Sequence, residues 1–196
     1  MRKIIATEFY SIDGLMSDPD DLQDWVTANF SADMGAYVDS AYGQSDTLLL
    51  GAVTYRLLAS YWPTADTNPN AFEGDAEFAS TINNMKKIVF SKAPLTPAWQ
   101  NSEFHPAINA DEIRTMKAAD GKNMLIVGSA TVVQQLTTLS LVDEYHLLVH
   151  PVILGQGKPL FHGLQQRQPL KLLEAKPFEN DVVLLRYQPA SDSEPV

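Results

Sequence analysis

Two apolar runs in this chain end on glycine and pass directly into a helical pattern, and this repeated junction restricts the fold more than any other feature. The first is SDTLLLG, residues 45–51, followed by AVTYRLLAS; the second is NMLIVG, residues 123–128, followed by SATVVQQL. Short apolar runs without polar alternation suit strands buried on both faces, as in a parallel sheet. Parallel neighbours cannot be joined by a tight turn, so a crossover helix has to lie between them.

The rest of the chain follows the same plan. RKIIATEFYSI and KKIVFSK read as two further buried strands. Helices are expected over residues 20–42, broken near Ser31, and over 52–60, 75–84, 110–119 and 129–139. From residue 142 the pattern changes. VDEYHLLVHPVI, PLKLLEAKPF and DVVLLRYQ read as strands with no helix between the last two, and Glu179-Asn180 supplies the turn of an antiparallel hairpin. The expected fold class is α/β, a three-layer α-β-α sandwich with a mostly parallel central sheet and an antiparallel C-terminal hairpin. At 196 residues, 45% of them hydrophobic, one core is expected rather than two. A single domain should cover residues 1–188, leaving PASDSEPV, residues 189–196, as a disordered tail.

Composition removes several function classes. The chain has no cysteine, which excludes disulfides, thiolate metal sites and cysteine nucleophiles. A net charge of -10 opposes extended contact with nucleic acid. No apolar run approaches the roughly 20 residues that span a bilayer, and the N-terminus has no signal-peptide core, so a cytoplasmic protein without membrane contact is expected. His146 and His150 share a strand face, but no third ligand accompanies them and no metal site is expected.

Ligands of open α/β sheets bind beyond the carboxyl ends of the strands, where strand-to-helix turns present free amides. Gly51 and Thr54 form one such turn, and Gly128, Ser129, Ala130 and Thr131 form the other. Singly, each glycine could serve only tight helix-sheet packing; together the two turns favour a ligand with two anionic centres, such as a dinucleotide. The sequence after the first strand, SIDGLMSDPD, is not the Gly-x-Gly-x-x-Gly fingerprint. LGQGKPLF lacks the Gly-Lys-Ser/Thr ending of a P-loop, so a nucleoside triphosphatase is rejected.

SIDG after the first strand, LLLGAVTY followed by YWP, IVFSK, MLIVGSATVVQQL, VDEYHLLVHPVILGQGKPLF and a closing hairpin occur in this order over residues 2–188. Together they resemble the dihydrofolate reductase-like family, in particular the branch containing the C-terminal reductase domain of the riboflavin-biosynthesis deaminase/reductase. The resemblance implies NADPH across the carboxyl edge of the sheet. Gly51, Thr54, Gly128, Ser129, Ala130 and Thr131 would hold the pyrophosphate, and Ser91 and Lys92 would meet the adenosine 2'-phosphate. A loop at Asp13-Gly14 would cover the nicotinamide. Many members carry a basic residue after the first glycine, where this chain has Ala52, so NADH stays open as the alternative. Arg56 replaces that charge only if its helix turns it towards the cofactor.

On the substrate side the implied residues are fewer. Asp13 either binds substrate polar groups or caps the loop. PDDLQDWV is similar to the helix on which dihydrofolate reductases carry a catalytic carboxylate, with Asp24 or Asp21 as the candidate and Trp25 as a ring-facing neighbour; the same aspartates also suit an ordinary helix start. Gly155 and Gly157 would place a loop near substrate or nicotinamide, or simply relieve a wide connection. The implied activity is hydride transfer from NADPH to a small polar substrate, such as the ribosylamino-pyrimidine of riboflavin synthesis or a pterin. Because the chain starts at the first reductase strand, without a zinc-binding deaminase part, a paralogue with another substrate is a further expectation. The competing class is a non-catalytic nucleotide-binding module. An apolar edge hairpin predicts a homodimer.

Overall fold

Strand β1 (Ile4–Ser11) lies inside the sheet because its apolar side chains are divided between both faces: Ile4 and Ala6 enter one core cluster and Ile5 another. The structure is a computed structural model and describes residues 1–72 and 74–190. Beyond β1, the elements are β2 (Leu15–Ser17), α1 (Asp24–Thr27), α2 (Ala32–Gly43), β3 (Ser45–Gly51), α3 (Ala52–Ala59), a 3-10 turn (Trp62–Thr67), α4 (Asp75–Asn84), β4 (Lys86–Phe90), β5 (Ser102–His105), α5 (Ala110–Ala118), β6 (Asn123–Val127), α6 (Ala130–Thr138), β7 (Glu144–His150), β8 (Lys158–Pro159), β9 (Leu170–Pro177) and β10 (Val183–Pro189).

Eight strands form one sheet in the order β5-β4-β3-β6-β1-β7-β10-β9. The pairings from β5 to β7 are all parallel, and β10 then runs antiparallel to both β7 and β9. One face carries Ile113 of α5 and Val132, Val133 and Leu136 of α6 against Leu49, Ile88, Met124 and Ile126. The other carries Tyr42, Tyr55 and Ile82, from α2, α3 and α4, against Leu48, Leu50, Val89 and Leu125. Adjacent residues of each central strand therefore serve opposite layers, which is why these strands are apolar throughout. Met34 and Phe178 join Leu148 and Leu184 under the hairpin.

Four differences from the sequence expectations have local causes. Residues 18–23 are a turn, not the start of a helix, because the Asp18 carboxylate accepts from the amides of Asp20 and Leu22 at 2.9 and 2.8 Å and Asp21 is left-handed at φ 63°. Strand β5 was not visible in the sequence; SEFH has no apolar run and adds only a half-exposed edge. The hairpin turn extends from Phe178 to Val182, whose backbones bond at 2.8 Å, and it uses Asp181 at φ 63° as well as Glu179-Asn180. Pro189 and Ala190, expected to open a disordered tail, are ordered: Pro189 ends β10 opposite Leu170 and the Ala190 amide bonds Pro169 O at 2.9 Å. Residues 191–196 lie outside the described residues.

A buried charge cluster fastens the hairpin to the sheet far from the carboxyl edge. Glu144, at the start of β7, meets Arg186 of β10 at 3.0 Å, Lys3 at 2.6 Å and His146 at 2.8 Å. Burial alone would raise the Glu144 carboxyl, but these three hydrogen bonds together hold it at about 2. Tyr37 lies 2.6 Å from His146 Nδ1, so a hydroxyl donating there leaves Nε2–H to donate to Glu144. Both His146 nitrogens are thereby occupied within the structure.

Candidate active site

The two strand-Gly-helix junctions come together at the carboxyl edge and interlock. Ser129 Oγ accepts from the Gly51 amide at 2.6 Å and donates to Thr54 Oγ1 at 2.8 Å. A Cβ on Gly51 would stand 2.9 Å from that oxygen, and one on Gly128 would meet Thr54 Cγ2 and Oγ1 at 3.1 Å. Each turn is what the other's small residues make room for. Gly128 and Ser129 are both left-handed, at φ 59° and 65°, a conformation that costs little for glycine and is uncommon for serine.

This interlock leaves two helix starts without side-chain caps. Gly51, the N-cap of α3, has no side chain, and Ser129, the N-cap of α6, has its hydroxyl engaged across the junction. The first turns of both helices therefore offer amides and the positive end of a dipole to the same space, a favourable setting for an anion. That space is a cleft of about 350 Å³. Gly51, Thr54, Ser91, Lys92, Gly128, Ser129, Ala130 and Thr131 all line it. Ser91 Oγ donates to Ala93 O at 2.6 Å, so it faces a ligand with its acceptor lone pairs until that bond is exchanged.

Other candidates lie elsewhere. Asp13 accepts from Ser11 Oγ at 2.7 Å and from the amides of Leu154 and Gly155 at 3.1 and 2.7 Å. It is the clamp of the 151–157 loop and is not among the cleft-lining residues. The Ser11 hydroxyl and the loop amides hold its carboxyl below the usual range. Gly14 serves the turn beside it, at φ 89°. Gly155 and Gly157 do not line the cleft either; Gly157 passes so close to β2 that a Cβ would lie 1.9 Å from Ser17 O. Asp24 begins α1 with its side chain exposed, and Trp25 packs inward against His150. Arg56 is exposed and absent from the lining, so it does not replace the basic residue missing at Ala52.

The structure adds lining residues that sequence reasoning missed. Met16, Ser17 and Gln23 close one side, Val53 and Leu57 give an apolar wall, and Lys158 enters as an ion pair beside Asp21, the carboxylate the sequence offered as the alternative to Asp24, which also lines the cleft. Lys158 arrives because β8 pairs with β2, opposite Ser17. The Lys in LGQGKPLF was the available signal, but no local pattern connects it to residues 17–21. Lys92 and Lys158 are the two lysines of the cleft lining in a protein of net charge -10.

Beneath the Gly128 turn lies Glu8 of β1, only 1% exposed. Its Oε2 accepts from the Gly128 amide at 2.9 Å, and its Oε1 has no hydrogen-bond partner. Burial raises this carboxyl well above its ordinary value, and the single amide bond offsets only part of that. A carboxyl that holds its proton more firmly than usual thus supports the turn from inside.

Two variants test this construction. Ser129→Ala removes both bonds across the junction and leaves the Gly51 amide without its acceptor, so it should cost about 1–3 kcal/mol in urea unfolding. For Glu8, a raised folded pKa means stability that is complete below the ordinary value of 4.5 and is lost as pH rises through the folded value. Relative to Glu8→Gln, the wild type should lose stability as pH climbs from 4.5, by at most about 1.4 kcal/mol per pH unit. Urea midpoints of both proteins across this range measure the difference, and a constant difference would mean that the carboxyl is not held neutral.

Comparisons with known proteins agree with this fold. The family model of the RibD C-terminal domain matches residues 2–184. The uncharacterized protein YyaP of Bacillus subtilis (strain 168) is 31% identical over 191 residues, covering 95% of this chain and 94% of that one. A putative riboflavin biosynthesis protein from Shewanella sp. PV-4 superposes with a TM-score of 0.74 at 18% identity, covering 97% of this chain and all of that one. The diaminohydroxyphosphoribosylaminopyrimidine deaminase/5-amino-6-(5-phosphoribosylamino)uracil reductase of Thermotoga maritima gives 0.65 at 15% identity, covering 96% of this chain and 57% of that one. Dihydrofolate reductase from Enterococcus faecalis, complexed with NADP(H), gives 0.60 at 13% identity, covering 96% and 97%. The shared fold is dihydrofolate reductase-like.

Proposed function

The chain belongs to the RibD C-terminal domain family, and on that premise we propose that it is an NADPH-dependent reductase delivering a hydride to a C=N or C=O carbon of a small polar heterocycle. The observation that carries this reading is the interlocked pair of uncapped helix starts facing one cleft. The amides of α3 and α6 would hold the pyrophosphate, and Ser91 and Lys92 at the end of β4 would take the 2'-phosphate. Lys158 supplies a cation that Ala52 does not. The reduced nicotinamide, when bound, supplies the hydride; the protein's own part is to orient the two rings, exclude water and neutralise charge. The name of the Thermotoga maritima relative, a uracil reductase, supports a pyrimidine-like substrate.

Thermal unfolding with NADPH and with NADH tests the cofactor reading. At about 100 times its dissociation constant, ligand should add roughly 2.7 kcal/mol, a rise in Tm of about 5–11 °C for a chain of this size. NADPH should act at lower concentration than NADH, and Lys92→Ala should remove that preference. No shift with either at millimolar concentration would refute the reading. Affinity without oxidation of NADPH on any heterocycle offered would favour a binding module.

We also propose a homodimer formed through the β9 edge. Leu170, Leu172 and Leu173 on that strand are 36%, 50% and 41% exposed, an apolar edge that a second copy would cover. Light scattering should give twice the chain mass, and Leu172→Lys should return it to that of one chain.

A further inference from the structure

The end of β7 holds buried polar atoms that the protein itself leaves without partners. His150 is 1% exposed, and neither ring nitrogen has a hydrogen-bond partner. Trp25 Nε1, also buried, has none. The two rings meet edge to face, with centroids 5.1 Å apart and an interplanar angle of 85°, and Phe9 closes the other side of His150 at 5.8 Å. The neighbouring hydroxyl is not free to help: Ser11, opposite His150 in the register, donates to Asp13 and accepts from the Leu15 amide. Buried polar groups in folded proteins are nearly always paired, and an unpaired one is destabilising. Two side chains so placed, at the carboxyl edge of the sheet, suit a partner from outside the chain.

We propose that Trp25 and His150 form a substrate subsite that receives the cis-amide edge of a flat heterocycle, with adjacent C=O and N–H groups. Trp25 Nε1–H donates to the ring carbonyl, and an imidazole nitrogen accepts from the ring N–H. Burial lowers His150 to about 4, so the imidazole is neutral at physiological pH and has one nitrogen free to accept. Phe9 and the indole supply apolar walls suited to a planar ring. This deepens the reductase reading and rests on it for the identity of the ring as substrate.

The cleft is the nearest opening along the chain. Trp25 lies two residues beyond Gln23, which lines it. The cover is thin: Leu22 and Phe30 are 55% and 48% exposed, and among the described residues the hydrogen bonds of residues 24–28 stay within the segment 23–29. The segment is fastened at its ends, by Gln23 Nε2 to Met16 O at 2.7 Å and by Asn29 and Asn180, which exchange bonds at 3.1 and 2.7 Å. Outward movement of α1 between these two points, with exposure of the buried Val26, would admit a ring.

The test uses the indole N–H signals of the full-length protein in 1H–15N spectra. There are three tryptophans, and Trp25→Phe assigns the signal of interest. Millimolar uracil should move the Trp25 signal saturably. The effect should be at least about tenfold weaker in affinity with 1,3-dimethyluracil, which lacks the N–H, and should be absent in His150→Phe. That variant should fold at least as well as the wild type, because phenylalanine removes two unpaired nitrogens; if it does not, the comparison of the two uracils in the wild type decides alone. An unmoved signal, as expected if water fills the site, or equal responses to both uracils, would overturn the proposal. Each titration is run with and without NADPH. A uracil response without any NADPH effect keeps the subsite and removes the reductase reading; an NADPH effect without a uracil response does the reverse.

Discussion

One serine hydroxyl governs how the carboxyl edge is built. Ser129 Oγ stands between the Gly51 amide and Thr54 Oγ1, and so ties two strand-to-helix junctions that are 78 residues apart in the chain. To reach that position Ser129 takes a left-handed backbone conformation and gives up the capping role a serine usually has at a helix start. The consequence is two adjacent helix starts with their amides directed into one cleft. Glu8 completes the arrangement from below, where its buried carboxyl accepts from the Gly128 amide in place of water.

This geometry explains how a chain of net charge -10 can present a place suited to anions. The unfavourable field of the whole protein is met locally by fixed dipoles and by Lys92 and Lys158, which line the cleft. Asp21 holds Lys158 in an ion pair at the lip, so the cation is positioned without being buried. The glycine loop before Lys158 has a positioning function: Asp13 clamps its amides and Gly157 allows it to run against Ser17, which brings the lysine into the cleft.

Much of the framework was legible because it rests on short-range rules. Helices α3, α4, α5 and α6 lie within a residue or so of the expected ranges, since glycine or asparagine marks their starts and the apolar spacing marks their buried faces. Strands β3, β4 and β6 were visible as apolar runs because both of their faces are covered. The helix expected to begin at residue 20 starts only at Asp24, although the aspartates suit a helix start; the Asp18 side chain instead captures the amides of Asp20 and Leu22 that a helix would have used. Strand β5 left no pattern, since an edge strand has only part of one face to bury.

The sequence by itself determined the α/β layering, the antiparallel hairpin and the residues of both glycine turns, because each depends on neighbours within a few positions. Only the tertiary structure decided that the turns interlock, that Asp13, Gly14, Gly155 and Gly157 support the cleft from outside it, and that Lys158 lines it. It alone left Trp25 and His150 together without partners. The reason is that these outcomes depend on contacts between distant segments, such as the clamp of Asp13 on Gly155 across 142 residues. Hydrophobic periodicity specifies which face of an element is buried, but not which distant residue will meet it there.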